Sequence, residues 1–70
     1  MNPITKPIFK EHDIIKAVNI IKSATQQVSK DTEGTIVHVY DTAIGIYEVE
    51  FPNNIIITVK WYDIRSTHGN

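Results

Sequence analysis

Cysteine is missing from this 70-residue chain. That excludes a disulfide framework and any zinc site built on thiolates, and it suits a reducing compartment. Long apolar runs are missing too, since no stretch approaches the roughly 20 residues needed to span a bilayer. The leading residues Met1-Asn2-Pro3-Ile4-Thr5-Lys6-Pro7 have no apolar block behind their charges, as a secretion signal would. These features predict a soluble cytoplasmic protein with no membrane partner. There is no strong excess of either charge: the net is −1 and the pI is about 6.2, whereas nucleic-acid binders usually carry a concentrated basic patch and a high pI. Phosphate-binding loops, dinucleotide glycine fingerprints and nucleophile motifs are absent, so hydrolase and nucleotide-binding readings fail and no cofactor is expected.

What is present is β-forming sequence. Apolar residues are 41% of the chain, enough for one core, although a core of this size rarely supplies more than about 3–5 kcal/mol. Between residues 34 and 62 they alternate or run together in β-branched blocks, the period of strands rather than of helices. Gly34 opens a strand over Thr35–Tyr40. Asp41-Thr42-Ala43-Ile44-Gly45 reads as a turn with Gly45 at positive φ. Ile46–Phe51 alternates most cleanly, with Tyr47, Val49 and Phe51 on the core side and Glu48 and Glu50 on the other. Pro52-Asn53-Asn54 reads as a hairpin turn, because Asn tolerates left-handed backbone. Ile55–Lys60 follows, with Ile55, Ile57 and Val59 facing the Tyr47 set. Trp61-Tyr62-Asp63 has the makings of a single 3-10 turn before a short last strand at Ile64-Arg65.

The first third is less regular. Pro3 and Pro7 imply an extended arm over residues 1–8. Phe9 to Ile21 reads as a first strand. A helix over 10–28 competes with it, since Ile14, Val18 and Ile21 recur at helical intervals and Val28 lies seven further on. Thr25 breaks that stripe, the β-branched density is high, and no glycine cap precedes Gly34, so the strand is preferred. Residues 22–33 read as a long polar loop with one apolar anchor, Val28. The chain closes with a polar tail at 66–70.

This inventory predicts an all-β domain at residues 9–65, a small five-stranded antiparallel SH3-like barrel with a long loop after strand 1. Closure would hide the edges of a run such as Ile55-Ile56-Ile57. Strong bending would let Ile36 and Val37 both point inward, so that Ile15, Val37, Val49 and Ile57 meet inside. Three segments then carry a family resemblance: Phe9-Lys10-Glu11-His12-Asp13-Ile14-Ile15, Glu33-Gly34-Thr35-Ile36-Val37-His38-Val39-Tyr40-Asp41 and Tyr47-Glu48-Val49-Glu50-Phe51. Together these resemble a family of small uncharacterised bacterial domains with SH3-like barrels. The block around Gly34 is more weakly similar to the KOW domains of ribosomal and transcription factors, and to small barrels that dock ferredoxin-dependent complexes. Such domains often carry a second Gly before the position of Gly34, where this chain has Ser29-Lys30-Asp31-Thr32-Glu33. The resemblance implies a fold and a non-catalytic habit.

Candidate chemistry is sparse. His12, His38 and His68 are spaced 26 and 30 residues apart, with no short ligand pair, and ordinary solvated histidines explain them. Glu48 and Glu50 lie about 7 Å apart on one strand face. That spacing suits paired-carboxylate glycoside chemistry, but an exposed alternating strand gives the same pattern without a cleft. The aromatic residues Tyr40, Trp61 and Tyr62 fall at strand ends, and Trp and Tyr dominate interface hot spots. Trp61 capping the end of the core is the competing reading. With Asp41, Glu48 and Glu50 they form the candidate partner-binding set, suited to steering a basic protein. The charge distribution agrees. Residues 1–30 set five lysines against Glu11 and Asp13, while residues 31–70 set six acids against Lys60 and Arg65. The expected function is a non-enzymatic protein-binding module, an antitoxin-like or immunity-like inhibitor covering a basic surface of a bacterial protein. The alternative is a KOW-like RNA-binding or ribosome-associated module using Lys6, Lys10, Lys16, Lys22 and Lys30. A docking subunit of an electron-transfer complex is a third possibility.

Overall fold

The computed structural model describes residues 6–67; His68, residues 1–5 of the expected arm and most of the expected tail lie outside them. Among the described residues there is no α-helix, so the helical alternative for 10–28 is not realised. Strand β1 spans Ile14–Ala17, β2 Ile21–Lys22, β3 Gln27–Val28, β4 Glu33–Asp41, β5 Ile46–Phe51, β6 Ile55–Lys60 and β7 Ile64–Ser66. Five of them form an antiparallel sheet in the order β6-β5-β4-β1-β7, and β2 and β3 pair as a separate two-stranded sheet.

The meander β4-β5-β6 follows the alternation of its residues. Tyr47 faces Val59, Val49 faces Ile57 and Phe51 faces Ile55 across the β5–β6 ladder. Tyr47, Val49, Phe51, Ile57 and Val59 are buried. Gly45 sits at φ 83°, and Asn53 and Asn54 at φ 70° and 61°, where short polar side chains and glycine are tolerated at least cost. Single 3-10 turns occupy Pro52–Asn54 and Trp61–Asp63. Ile15, Ala17, Ile36 and Ile64 complete the core from the remaining strands of the large sheet. Gly34 is a packing requirement rather than a turn: a Cβ there would lie 2.6 Å from Val49 Cγ1 and 2.8 Å from Phe51 Cδ1.

Four expectations need correction. The first strand is four residues long rather than thirteen, and a left-handed turn at His12 sets its N-terminal limit. His12, at φ 76°, turns the chain so that its N–H donates to Ile36 O at 2.8 Å, and the Val18 N–H donates to Asp63 O at 2.9 Å. The loop over 22–33 contains a hairpin. Ser23 Oγ accepts from the Gln26 N–H at 3.1 Å to close its turn, and Ile21 and the anchor Val28 fold onto the main core. Val37 is 37% exposed rather than inside. The β4–β5 register shifts between Ile36 and His38, so Val37 is the extra residue of a β-bulge. The predicted closure into a barrel is not shown, because neither sheet closes on itself. The turn at Trp61–Asp63 carries the chain from β6 to β1, where β7 pairs, and β6 and β7 are not joined. The end of β7 also reaches into the expected tail: Ser66 is in the strand, and Thr67 Oγ1 donates to Ile14 O at 3.1 Å.

Phe9 is the outlying member of the core. Its ring meets Tyr47 edge-on at 5.4 Å, and its N–H donates to Tyr47 Oη at 3.1 Å. The one hydroxyl on the inner face of β5 thus has a partner, as a buried polar group requires.

Candidate docking face

Opposed residues in an antiparallel ladder share a face, so the register defines what lies beside Glu48 and Glu50. Glu48 is flanked by His38 on β4 and Thr58 on β6. Glu50 is flanked by Thr35 and Ile56, and Thr35 in turn by Ile14 on β1. Asp41, Ile46 and Lys60 make a third row at one end of the sheet. Successive rows are about 7 Å apart and neighbouring strands about 4.8 Å. The outer face of β4-β5-β6 therefore has a carboxylate pair at its centre with apolar groups around it.

Tyr40 joins this face through a second register shift, between Val39 and Asp41. Its ring stands edge-on to His38 at 4.5 Å. Tyr40 and Ile56 are exposed, as is the bulged Val37. An open depression lined by Ile14, Glu33, Gly34, Thr35, Glu50, Phe51 and Pro52 adjoins the Glu50 row.

The acids divide by type. Asp41 Oδ1 accepts from the Ile44 N–H at 3.0 Å, Asp13 Oδ2 from the Lys10 N–H at 3.0 Å, and Asp63 Oδ2 from the Lys60 N–H at 2.9 Å. Each closes a local turn, as short acidic side chains do. Asp41, predicted to face a partner, also closes the β4–β5 turn. Asp13 also pairs with Lys10 at 3.3 Å, and Asp31 with Arg65 at 3.7 Å. Glu33 stands opposite Lys16, which has Arg65 on its other side. The Glu48 and Glu50 carboxylates have no hydrogen bond or ion pair to any described residue.

Trp61 and Tyr62 lie at the Asp41 end of the sheet. The Trp61 N–H donates to Gly45 O at 2.8 Å, and its ring covers Gly45 so closely that a Cβ there would lie 2.4 Å from Trp61 Cδ1. Trp61 is packed against the core. Tyr62 is 55% exposed and meets Trp61 edge-on at 5.6 Å. The predicted set thus separates: Tyr40, Glu48 and Glu50 share the outer face, Asp41 holds a turn, and Trp61 and Tyr62 form an aromatic pair at the sheet's end.

The sequence reading missed Ile14, Val37, His38 and Ile56 as members of the face. Ile56 was legible, because it has the opposite parity to Ile55 and Ile57. Val37 was not, since a bulge leaves no local signature. Among the described residues no three His, Asp or Glu side chains gather as a metal site would require, and no helix is long and apolar enough to cross a membrane. Set against known protein families, curated proteins and solved structures, the chain matches none.

Proposed function

We propose that this domain is a non-enzymatic protein-binding module whose outer β4-β5-β6 face docks on a basic surface of another protein. The observation that carries this reading is the isolation of Glu48 and Glu50. Two carboxylates, unpaired within the described residues, stand side by side at the centre of a regular sheet and are bordered by Val37, Tyr40 and Ile56. Like charges held together work against stability, so their placement is better accounted for by a partner's Lys or Arg side chains. Apolar and aromatic neighbours would exclude water from such pairs and supply the contact area.

The strand order and the single core favour an SH3-like barrel, rolled around that core and left open between β6 and β7. This reading also retains the likeness to small bacterial domains of that type. The setting we propose is the bacterial cytoplasm, with the domain acting as an antitoxin-like or immunity-like blocker of a basic groove. The RNA-binding alternative draws less support, because Lys10 is paired with Asp13 and Lys16 stands beside Glu33.

The test is affinity capture from the source cell, with the wild-type chain and a Glu48→Gln/Glu50→Gln variant as parallel baits. A basic protein retained by the first bait and lost from the second is expected. Equal recovery of every protein on both baits would remove the assignment.

A further inference from the structure

The two edges of the sheet differ in a way that the docking face does not explain. Edge strands present unpaired N–H and C=O groups, and folded proteins blunt them by shortness, charge, proline or bulges. Strand β7 is blunted: it has three residues, and Arg65 in its middle is paired with Asp31. Strand β6 has six residues in unbroken register with β5. It contains no proline, glycine or bulge, and its only charge is Lys60 at the end. Beyond the β5 ladder its backbone bonds no other described strand, and only the Lys60 N–H is taken, by Asp63 Oδ2 at 2.9 Å. Ile55-Ile56-Ile57-Thr58-Val59 is also the kind of apolar, uncharged, β-branched segment that aggregates when left uncovered.

We infer that the occupant of this edge is a second copy of the chain, paired antiparallel through β6 about a two-fold axis at Thr58. The register follows from parity and charge. Both copies keep their core residues on one side only if the two paired residue numbers sum to an even number. Centring the axis on Thr58 sets Thr58 against the partner's Thr58 and Ile57 against the partner's Val59. Ile56 then lies against the partner's Lys60, so Glu50, Ile56 and the partner's Lys60 form one transverse row. The aliphatic stem of that lysine would cover Ile56, which is 48% exposed, and its ammonium would approach Glu50 from two strand spacings away, about 10 Å between backbones. The contact occurs twice by symmetry. The two Glu48 carboxylates stand three spacings apart, about 14 Å, beyond the screening length of roughly 8 Å at physiological salt. Parallel in-register pairing would instead set Lys60 against Lys60. An isologous pairing uses up both β6 edges and stops at two chains. This inference shares Glu50 and Ile56 with the docking face but does not rest on the docking reading, since it is argued from the uncovered β6 edge.

Sedimentation velocity of the full chain over a wide concentration range provides the test. A reversible species at twice the 8.0 kDa chain mass is expected, with no larger assembly. Lys60→Glu alone and Glu50→Lys alone should each weaken dimerisation about tenfold, and the double exchange should restore it to within about threefold. Circular dichroism checks that each variant is folded. If a variant is not, amide hydrogen exchange on the wild type replaces it, with β6 protection expected to rise with protein concentration. A chain that stays monomeric at millimolar concentration, an open-ended assembly, or a dimer indifferent to both reversals overturns the inference.

Discussion

The inner and outer faces of β5 carry side chains from alternate positions of one six-residue strand, and they are held in opposite ways. Tyr47, Val49 and Phe51 all belong to the buried core, and Tyr47 also accepts the Phe9 N–H. Glu48 and Glu50 lie between the same two neighbouring strands, β4 and β6, yet no hydrogen bond or ion pair to a described residue engages their carboxylates. The inner face carries what a chain of 70 residues needs in order to fold at all. The outer face contributes little to folding, so its composition is open to other demands. Folding draws on one side-chain parity of β5, and the proposed recognition on the other.

The comparison is sharpest where a substitution is made on each face in turn. Phe51→Ala should cost about 3–5 kcal/mol, which is of the order of everything a core this small supplies, and urea titration should find the variant largely unfolded. Its neighbour Glu50→Ala should keep the wild-type midpoint. Gly34→Ala should cost about 1–3 kcal/mol by overpacking. Because the new methyl would press on Val49 Cγ1, a Gly34→Ala/Val49→Ala double variant should lose less than the two single losses combined; strict additivity in thermal melts would rule out that contact as the cause. Tyr47→Phe removes the acceptor for the Phe9 N–H and should cost about 1–3 kcal/mol. Hydrogen exchange should then speed up at Phe9 before it does so in β5. Glu48→Gln and Glu50→Gln should each change stability by no more than about 0.5 kcal/mol, with relief of their mutual repulsion offsetting what little is lost.

How much of this was legible in the sequence depends on whether local or distant groups decide each element. Strands β4 to β7 could be read because Tyr47-Glu48-Val49-Glu50-Phe51 alternates, and because Gly45, Asn53 and Asn54 supply the positive φ their turns demand. The first strand could not be bounded, since the turn that opens it, at His12, is held by a bond to Ile36, far along the chain. The β2–β3 hairpin was read as a loop because two-residue strands carry no periodicity of their own. What makes it a hairpin is the docking of Ile21 and Val28 onto a core built mostly by later residues. On the candidate site, parity was enough to place Glu48 and Glu50 outward. It was silent on Asp41, whose carboxylate is drawn into its own turn, and on Val37, which a bulge turns out of the core.

The central claim is that the outer face of β4-β5-β6 receives basic groups of a protein. The most direct measurement is a nitrogen-15 amide titration of the full chain with a lysine- and arginine-rich peptide, run beside one with single-stranded RNA, at roughly 0.15 M ionic strength, where exposed long-range attraction is largely screened. The account predicts saturable peptide-induced shifts clustered at Thr35, His38, Tyr40, Glu48, Glu50, Ile56 and Thr58, abolished in the Glu48→Gln/Glu50→Gln variant, with RNA leaving those amides in place. Shifts scattered over the surface, or an RNA response centred on Lys16, Lys22 and Lys30, would contradict it.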